Sequence, residues 1–219
     1  MQKDQTTHFV CPSCGAPVEA ERRFDEVYTC PYCGNTAQLA SQVAAAGQAA
    51  PRSARLANLP SRFDLGLHGT IRGKVPFEVK GMVQLEYGDG YWTEWWLDAG
   101  GKEYWLQEDE GIYVLFSSRP IEEPLPPPEA LRAGANLEGW NRLPRWFIIE
   151  VGRAKLVGYD GELPFDPELG TEFTYVDGLA GGRVMSMEIE ADGQTATLSA
   201  GEPLEYEDLR IAGEPEGEW

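Results

Sequence analysis

The 219-residue sequence predicts a mainly β protein in which antiparallel strands form a distorted barrel or paired sheets. The first observation is alternation: from Phe77 to Tyr87, apolar residues occupy most odd positions and polar residues most even ones, which is typical of a strand with one buried face. The second is a series of Asp-Gly and Gly-Gly turn signals between such stretches. The third is an apolar fraction of 42% with 11% aromatic residues, which is enough to fill a core.

Four consecutive strands follow from these patterns. Asp89-Gly90 is typical of a tight hairpin turn, and residues 98–101 and 108–111 carry two further turn signals. We therefore expect an antiparallel meander of residues 77–87, 91–97, 102–107 and 112–117.

Aromatic residues lie on both faces of the second strand of this meander. Alternation places Trp92, Glu94 and Trp96 on one face and Trp95 on the other. One set can fill the core while the other forms a stacking platform for a sugar or a peptide. Together with Trp105 of the next strand, Trp92, Glu94 and Trp96 form a candidate binding face, for which core packing is the alternative interpretation.

The second half of the domain begins with a proline-rich crossing, residues 118–144. Pro124 and the run Pro126, Pro127 and Pro128 favour extended polyproline geometry on the surface. Strands are expected again in residues 145–159, 172–178, 183–190 and 195–201, with a short one at 208–211. Both halves open on a long strand and contain an Asp-Gly hairpin, so a duplicated unit remains an open interpretation.

The N-terminal cysteines form the strongest local motif. Cys11-x-x-Cys14 and Cys30-x-x-Cys33 are each followed by a glycine, which can adopt positive φ and turn backbone N–H groups toward sulfur. Two such turns supply four thiolates in a tetrahedron, and residues 1–35 thus resemble a zinc ribbon or a rubredoxin-like knuckle. We expect one structural Zn²⁺, with iron as the alternative occupant. Four protein thiolates leave no open position for a reactive water.

The N-terminal part of the chain and the rest differ in net charge. Residues 1–62 hold six Lys/Arg against five Asp/Glu, whereas residues 63–219 hold twelve against thirty-one. We interpret residues 36–62, rich in Ala, Gln and Arg, as a linker and residues 63–219 as the β domain. An acidic surface repels a phosphate backbone, so we expect no nucleic-acid partner; a protein partner, either basic or membrane-associated, fits this charge better.

Two further features indicate a cytoplasmic protein. No apolar run approaches the ~20 residues that cross a bilayer, and the first residues lack the apolar segment of a signal peptide. The cysteines are paired in a metal-binding pattern and not in a disulfide framework, which suits a reducing compartment.

The stretch from Phe63 to Ile211 resembles the bacterial domain-of-unknown-function family numbered 4178. The motifs that carry the resemblance are Thr93-Glu94-Trp95-Trp96-Leu97, Tyr104-Trp105-Leu106, Gly161-Glu162-Leu163-Pro164 and Ser186-Met187-Glu188. The resemblance implies a link to membrane-stress or polyamine-related systems and is compatible with a zinc ribbon in front of the domain. It implies no catalytic residues.

These observations favour a non-catalytic cytosolic binding or adaptor protein, with the ribbon as a docking module and the aromatic and acidic β domain as a second contact surface. The alternative is a hydrolase-like enzyme. Its acid–base pair would come from the carboxylates Glu94, Glu162, Asp177 and Glu188. Against the enzyme stand the presence of two histidines only, His8 and His68, and the lack of a nucleophile motif.

Overall fold

The computed structural model of the chain describes residues 6–11, 14, 16–21, 27–34, 36–38, 59, 61–88 and 90–213. These residues form fifteen strands: β1 (Thr6–Val10), β2 (Pro17–Glu21), β3 (Val27–Thr29), β4 (Thr36–Gln38), β5 (His68–Ile71), β6 (Val75–Tyr87), β7 (Gly90–Ala99), β8 (Lys102–Asp109), β9 (Ile112–Arg119), β10 (Asn136–Leu137), β11 (Trp146–Gly161), β12 (Glu172–Ala180), β13 (Arg183–Glu190), β14 (Ala196–Leu204) and β15 (Leu209–Ile211). Three single 3-10 turns complete them, at Pro128–Ala130, Trp140–Arg142 and Tyr206–Asp208. Within the described ranges no helix has the length and apolarity to cross a membrane.

Eight of the strands close into an antiparallel barrel. Their order around the barrel is β6-β7-β8-β9-β14-β13-β12-β11, and β11 pairs back onto β6. Each half is a four-stranded meander, β6 to β9 and β11 to β14, and the halves meet at the β9–β14 and β6–β11 seams. The predicted mainly β fold is confirmed, and of the two predicted architectures the described strands form the barrel.

The β6–β11 seam requires two glycines. Gly81 lies opposite Gly161 in the register, and the amide of Glu162 donates a hydrogen bond to the carbonyl of Lys80 at 2.8 Å. A Cβ at Gly81 would collide with the backbone carbonyl of Glu162, and one at Gly161 would collide with the carbonyl of Lys80. Gly161 also has φ of +78°, a conformation that glycine adopts without strain.

The two longest strands, β6 and β11, also carry the additional strands. Register shifts interrupt β6 between Val79 and Gly81 and β11 between Ile148 and Glu150 and between Leu156 and Gly158, and such bulges curve a strand. The first part of β6 pairs with β5, which pairs with β15, and the first part of β11 pairs with β10. Both halves of the barrel therefore extend beyond its closed wall.

Much of the apolar core lies outside the barrel wall. On the first meander, outward side chains such as Phe77, Leu97 and Leu106 pack with Phe63 of the segment before β5 and with Leu209 of β15. A second outer cluster covers the other meander. It consists of Leu143, Trp146, Ile148, Val176, Ala180, Met185, Met187 and Leu198. The inward face carries a third apolar cluster, which includes Val83, Leu85 and Trp96, together with polar side chains.

The proline-rich crossing covers this second outer cluster. We call residues 120–143 the strap. Its Leu125, Leu131 and Trp140 pack on the cluster, and the Trp140 ring stacks on Trp146 with centroids 5.8 Å apart. The expected extended surface segment is thus also a packed layer that completes the outer core.

A buried asparagine shapes the strap. Asn141 is 2% exposed and has φ of 48°, which non-glycine residues rarely adopt. Its side-chain oxygen accepts a hydrogen bond from the amide of Glu122 at 2.7 Å, and its amide nitrogen donates to the carbonyl of Pro120 at 3.0 Å. These bonds join the two ends of the strap.

The segment before β5 is attached to the barrel by a buried carboxylate. Glu108 accepts hydrogen bonds from Ser61 Oγ at 2.6 Å, from Trp95 Nε1 at 2.9 Å and from the Tyr113 hydroxyl at 3.2 Å. Arg62 lies over the ring of Tyr206 at 3.7 Å. The end of the predicted linker is thus bound to the domain, whereas its residues 39–58 and 60, together with Asp89 of the expected turn and the tail 214–219, lie outside the described residues.

Candidate functional site

The barrel encloses a cavity of about 560 Å³. All eight strands contribute to its lining, so the cavity is the lumen of the barrel. The lining residues from the strands are Val83, Leu85, Glu94, Trp105, Phe116, Ser118, Leu156, Phe173, Ser186, Glu188, Glu190, Thr197 and Ser199. The loop between β11 and β12 adds Phe165, Asp166, Glu168 and Thr171.

The four residues of the predicted binding face lie on the inside of the barrel. Glu94 and Trp105 line the lumen, while Trp92 and Trp96 are 6% and 3% exposed and belong to the inner cluster with Val83. Alternation along β7 therefore grouped these side chains as the sequence predicts. Trp92 and Trp96 are therefore core residues that do not line the cavity, as the core-packing interpretation expects. Glu94 and Trp105 are the two residues of this face that an occupant of the lumen can contact.

Aromatic rings lie on both sides of Glu94 along β7. Trp96 and Trp105 have centroids 4.9 Å apart. In the other direction, Trp92 lies 5.0 Å from Tyr87 and 5.7 Å from Tyr175. An occupant near Glu94 would therefore meet its carboxylate and the ring of Trp105, which is the one of these aromatic residues that lines the lumen.

Three carboxyl groups interact within the barrel. Burial raises the pKa of Glu94 to about 7, although the Trp92 indole N–H, at 2.9 Å, stabilises its charged form. Burial, together with the charges of Glu94 and Asp177, raises the pKa of Glu188 to about 8. Burial also raises the pKa of Asp177 to about 6, against a hydrogen bond from Ser186. The three groups thus resist simultaneous ionisation in a desolvated space.

The topology explains how these groups meet. Strands β7 and β13 are four places apart in the eight-stranded ring, so Glu94 and Glu188 extend from opposite walls. Asp177 on β12 lies directly across from Ser186, two residues before Glu188 on β13. The carboxylates therefore approach from two sides of the lumen.

One oxygen of Asp177 and the carboxylate of Glu188 receive no hydrogen bond from the described residues. The Oδ1 atom of Asp177 is buried and has no partner there. Glu188 likewise accepts no hydrogen bond from the part of the chain that the structure describes, and it lines the cavity. Glu188 lines the lumen and is therefore open to a donor from a ligand or from water, whereas Asp177 Oδ1 is buried within the barrel wall and does not line the cavity.

The fourth predicted carboxylate lies elsewhere. Glu162 follows β11, beside the β6–β11 seam, and is not among the residues that line the lumen. The structure therefore brings together Glu94, Asp177 and Glu188 but not Glu162.

Sequence reasoning singled out Glu188 but missed its polar neighbours in the lumen, Ser186 and Glu190. Ser186, Glu188 and Glu190 alternate with Met185 and Met187 on β13, so a polar face was visible in the pattern. In an open sheet such a face meets solvent, but here the strap covers the apolar face and the polar face turns inward. Alternation alone does not distinguish these two arrangements.

The four cysteines form a separate candidate metal centre. Their sulfur atoms all lie within 4.8 Å of one another, with Sγ atoms 3.7 Å apart in the Cys11–Cys33 and Cys14–Cys30 pairs. A tetrahedron with metal–sulfur bonds of ~2.3 Å has sulfur atoms ~3.8 Å apart, so the donor set fits a four-thiolate site. These separations far exceed a disulfide bond of ~2.05 Å. In the described ranges this is the one set of three or more Cys, His, Asp or Glu ligand atoms gathered this closely.

Two short hairpins hold the cysteines. Strands β1 and β2 pair on one side and β3 and β4 on the other, so that β4 extends this module to Gln38. Gly34 has φ of +68°, and its amide donates to the carbonyl of Cys30. Burial opposes ionisation of Cys30, but the amides of Tyr32 and Cys33 stabilise its thiolate and lower its pKa to about 6. The four cysteines can therefore bind a metal ion.

The comparisons with known proteins concern the barrel. The family model described as "Domain of unknown function (DUF4178)" matches residues 64–206, a span that contains all eight strands of the barrel. No curated protein and no solved structure matches the chain.

Proposed function

Since the chain belongs to the DUF4178 family, whose description assigns no activity, we propose from the barrel itself that the protein is a non-catalytic binding protein that holds a small molecule in its lumen. The observation that carries this proposal is the lumen: about 560 Å³, lined by every strand of the barrel. Ligand sites in proteins commonly have volumes of ~300 to ~1,000 Å³ and combine apolar walls with a few polar groups. The aromatic rings and carboxylates of this lumen match that composition.

A hydrolase-like enzyme is the second candidate. It is favoured by the raised pKa values of Glu94, about 7, and Glu188, about 8, because a general acid and a general base act best near the working pH. A substrate between the two walls could exchange protons with both. The described lining contains no histidine, cysteine or lysine, so the nucleophile would have to be water, a serine or threonine hydroxyl, or a carboxylate.

The lumen can be tested by filling it. Ser199 on β14 lines the cavity, so Ser199→Trp should occupy part of its volume, whereas Gln194→Trp adds the same ring at an exposed hairpin. Equilibrium dialysis against a mixture of small metabolites, read by mass spectrometry, should show compounds enriched by the wild type and by Gln194→Trp but not by Ser199→Trp. Equal enrichment by all three proteins, or by none, would contradict the proposal. Disappearance of an enriched compound with appearance of its hydrolysis products would favour the enzyme.

The cysteine module has a structural and docking role in this proposal. One Zn²⁺ held by Cys11, Cys14, Cys30 and Cys33 contributes the folding energy that so small a module lacks. Its partner is a protein, basic or membrane-associated, since residues 63–219 are strongly acidic. The resemblance of the sequence associates such a partner with membrane-stress or polyamine-related systems. A cytoplasmic location fits four reduced thiolates.

Deleting residues 1–34 tests the docking role. A partner recovered with the full chain should be lost with the truncated one, while circular dichroism of the barrel is unchanged. Recovery of the same partner by the truncated chain would assign docking to the barrel instead.

A further inference from the structure

The charged lining of the lumen is entirely acidic. Glu94, Asp166, Glu168, Glu188 and Glu190 line the cavity, and no lysine, arginine or histidine is part of the described lining. Asp166, Glu168 and Glu190 are solvent-exposed, whereas Glu94 and Glu188 are half-buried. A carboxylate held away from water is costly unless a cation or a hydrogen-bond donor accompanies it. A cationic occupant would provide the missing charge, whereas an anionic one would be repelled.

A second, independent indication of a ligand is that the described part of this site lacks hydrogen-bond donors for some of its carboxylate oxygens. Glu188 is enclosed by the barrel wall and accepts no hydrogen bond from any described residue, and Asp177 Oδ1 is buried without a partner. Barrel residues satisfy the third group, since Glu94 accepts from the Trp92 indole. Of the two groups without a donor, the Glu188 carboxylate lines the lumen and is thus available to an N–H group of a bound molecule.

The positions of the lumen carboxylates favour an extended molecule over a single metal ion as the ligand. Among the described residues, the four cysteines are the one set of three or more Cys, His, Asp or Glu side chains that could hold a metal ion, and the lumen carboxylates form no such set. Glu94 and Glu188 instead extend from opposite walls, with the rings of Trp96 and Trp105 beside them. Ammonium groups pair with carboxylates and also stack favourably on indole faces.

From these observations we infer that the lumen binds an organic cation with two ammonium groups, held between Glu94 on one wall and Glu188 on the other. This inference rests on the proposed function, because it assigns a ligand class to the same cavity. The inference also implies that binding of the cation displaces protons from the lumen carboxyl groups. The carboxyl groups hold protons when the lumen is empty and ionise when the cation enters.

The titratable groups around the cluster support the exchange of protons. The pKa values of Asp177, Glu94 and Glu188 are raised to about 6, 7 and 8. The other charged groups that face them are also acidic: Glu150, which accepts from the Tyr175 hydroxyl at 2.7 Å, together with Glu190, Asp166 and Glu168. No described base in the lining offsets these charges, so the cluster is partly protonated at neutral pH. A dication should therefore displace about one proton at pH 7.

Calorimetry with a series of diaminoalkanes of increasing length tests this inference. We expect binding with a preference for one length, weaker binding of the monoamine of the same length, and none of the corresponding dicarboxylate. Measurements in two buffers of different ionisation enthalpy should show release of about one proton per ligand at pH 7. Affinity should rise between pH 6 and pH 8, as the carboxyl groups ionise.

A matched pair of variants locates the site. Glu188→Gln removes one lumen carboxylate and should weaken diamine binding about tenfold or more and reduce the proton release. Glu103→Gln removes the same charge from an exposed position on β8 and should change neither. Equal weakening by both variants would mean attraction to the acidic surface and would overturn the inference.

The two proposals fail in different ways. If no diamine binds but dialysis enriches a neutral or anionic compound that Ser199→Trp fails to enrich, the lumen is a binding site and the cationic ligand class is wrong. If neither diamines nor metabolites distinguish the wild type from Ser199→Trp, the lumen site itself is wrong.

Discussion

Chemically identical glutamates serve different purposes on the two faces of the barrel wall. Glu108 faces outward and accepts three hydrogen bonds, from Ser61, Trp95 and Tyr113. Glu188 faces inward and accepts none from the described residues. A buried carboxylate stabilises a fold when donors surround it and destabilises it when they are missing. We therefore expect opposite effects from neutralising these two residues.

Glu108→Ala should lower the free energy of unfolding by about 2 to 3 kcal/mol, because it leaves the Trp95 and Tyr113 donors buried without an acceptor. Urea unfolding followed by tryptophan fluorescence measures this loss. Glu103→Ala, at an exposed position on the same strand, should be nearly neutral. A loss of equal size in both variants would show that the Glu108 network adds nothing to stability.

Glu188 should make the ligand-free protein less stable as pH rises. Its pKa is raised by burial from an ordinary value of 4.5 to about 8, so the folded state binds a proton that the unfolded state releases. The stabilising contribution is complete below about pH 4.5 and disappears as pH rises through about 8. Glu188→Gln should flatten this part of the stability curve, measured by urea unfolding between pH 5 and pH 8. An unchanged slope would contradict the raised pKa.

For single residues, the sequence predicted which side chains share a strand face better than it predicted what that face contacts. The alternation along β7 correctly placed Trp92, Glu94 and Trp96 on one face. It did not indicate that this face turns into a lumen, because inward and outward faces follow the same two-residue period. For the same reason, the sequence did not indicate that Ser186 is a hydrogen-bond partner of Asp177.

Among the elements, the strap differs most from its sequence expectation. The proline run predicts a crossing segment, and the chain does cross from β9 to β11 there. The packing of Leu125, Leu131 and Trp140 on the second outer cluster follows no helical or strand period, so no pattern predicts it. The role of the strap as a covering layer can be recognised only once the structure of the barrel beneath it is known.

Asn141 should be the most sensitive position of the strap. Asn141→Ala removes two buried hydrogen bonds and places alanine at φ of 48°, so we expect a loss of about 2 to 3 kcal/mol in unfolding free energy. Asn141→Gly removes the same hydrogen bonds but tolerates the backbone angle, so it should be more stable than Asn141→Ala by about 1 kcal/mol. Equal stabilities of the two variants would exclude the backbone contribution.

For the molecule as a whole, the four-cysteine module and the barrel should unfold separately. Cys30→Ala removes one of four thiolates and should unfold the module while leaving the thermal transition of the barrel unchanged. Calorimetry with and without a chelator, together with metal analysis of the purified chain, measures both effects. Loss of the barrel transition in this variant would show that the two parts form one cooperative unit.

The sequence did not predict that the barrel closes, because its local patterns do not indicate which distant strands pair. Turn signals predict which neighbouring strands pair, and the hairpins of both meanders follow them. The pairing of β6 with β11 joins distant parts of the chain, and its marker is a glycine on each strand. Glycines in a β protein usually indicate turns, so Gly81 and Gly161 did not suggest a seam.

That seam has a consequence for synthesis on the ribosome. The first meander is complete when residue 119 has emerged, but the strands that pair with its two outer edges, β11 and β14, follow only by residue 204. Until then the nascent chain exposes two open edges able to pair with other chains. Pauses or truncations within that interval should favour aggregation, and a chaperone that shields β6 and β9 would protect the growing polypeptide.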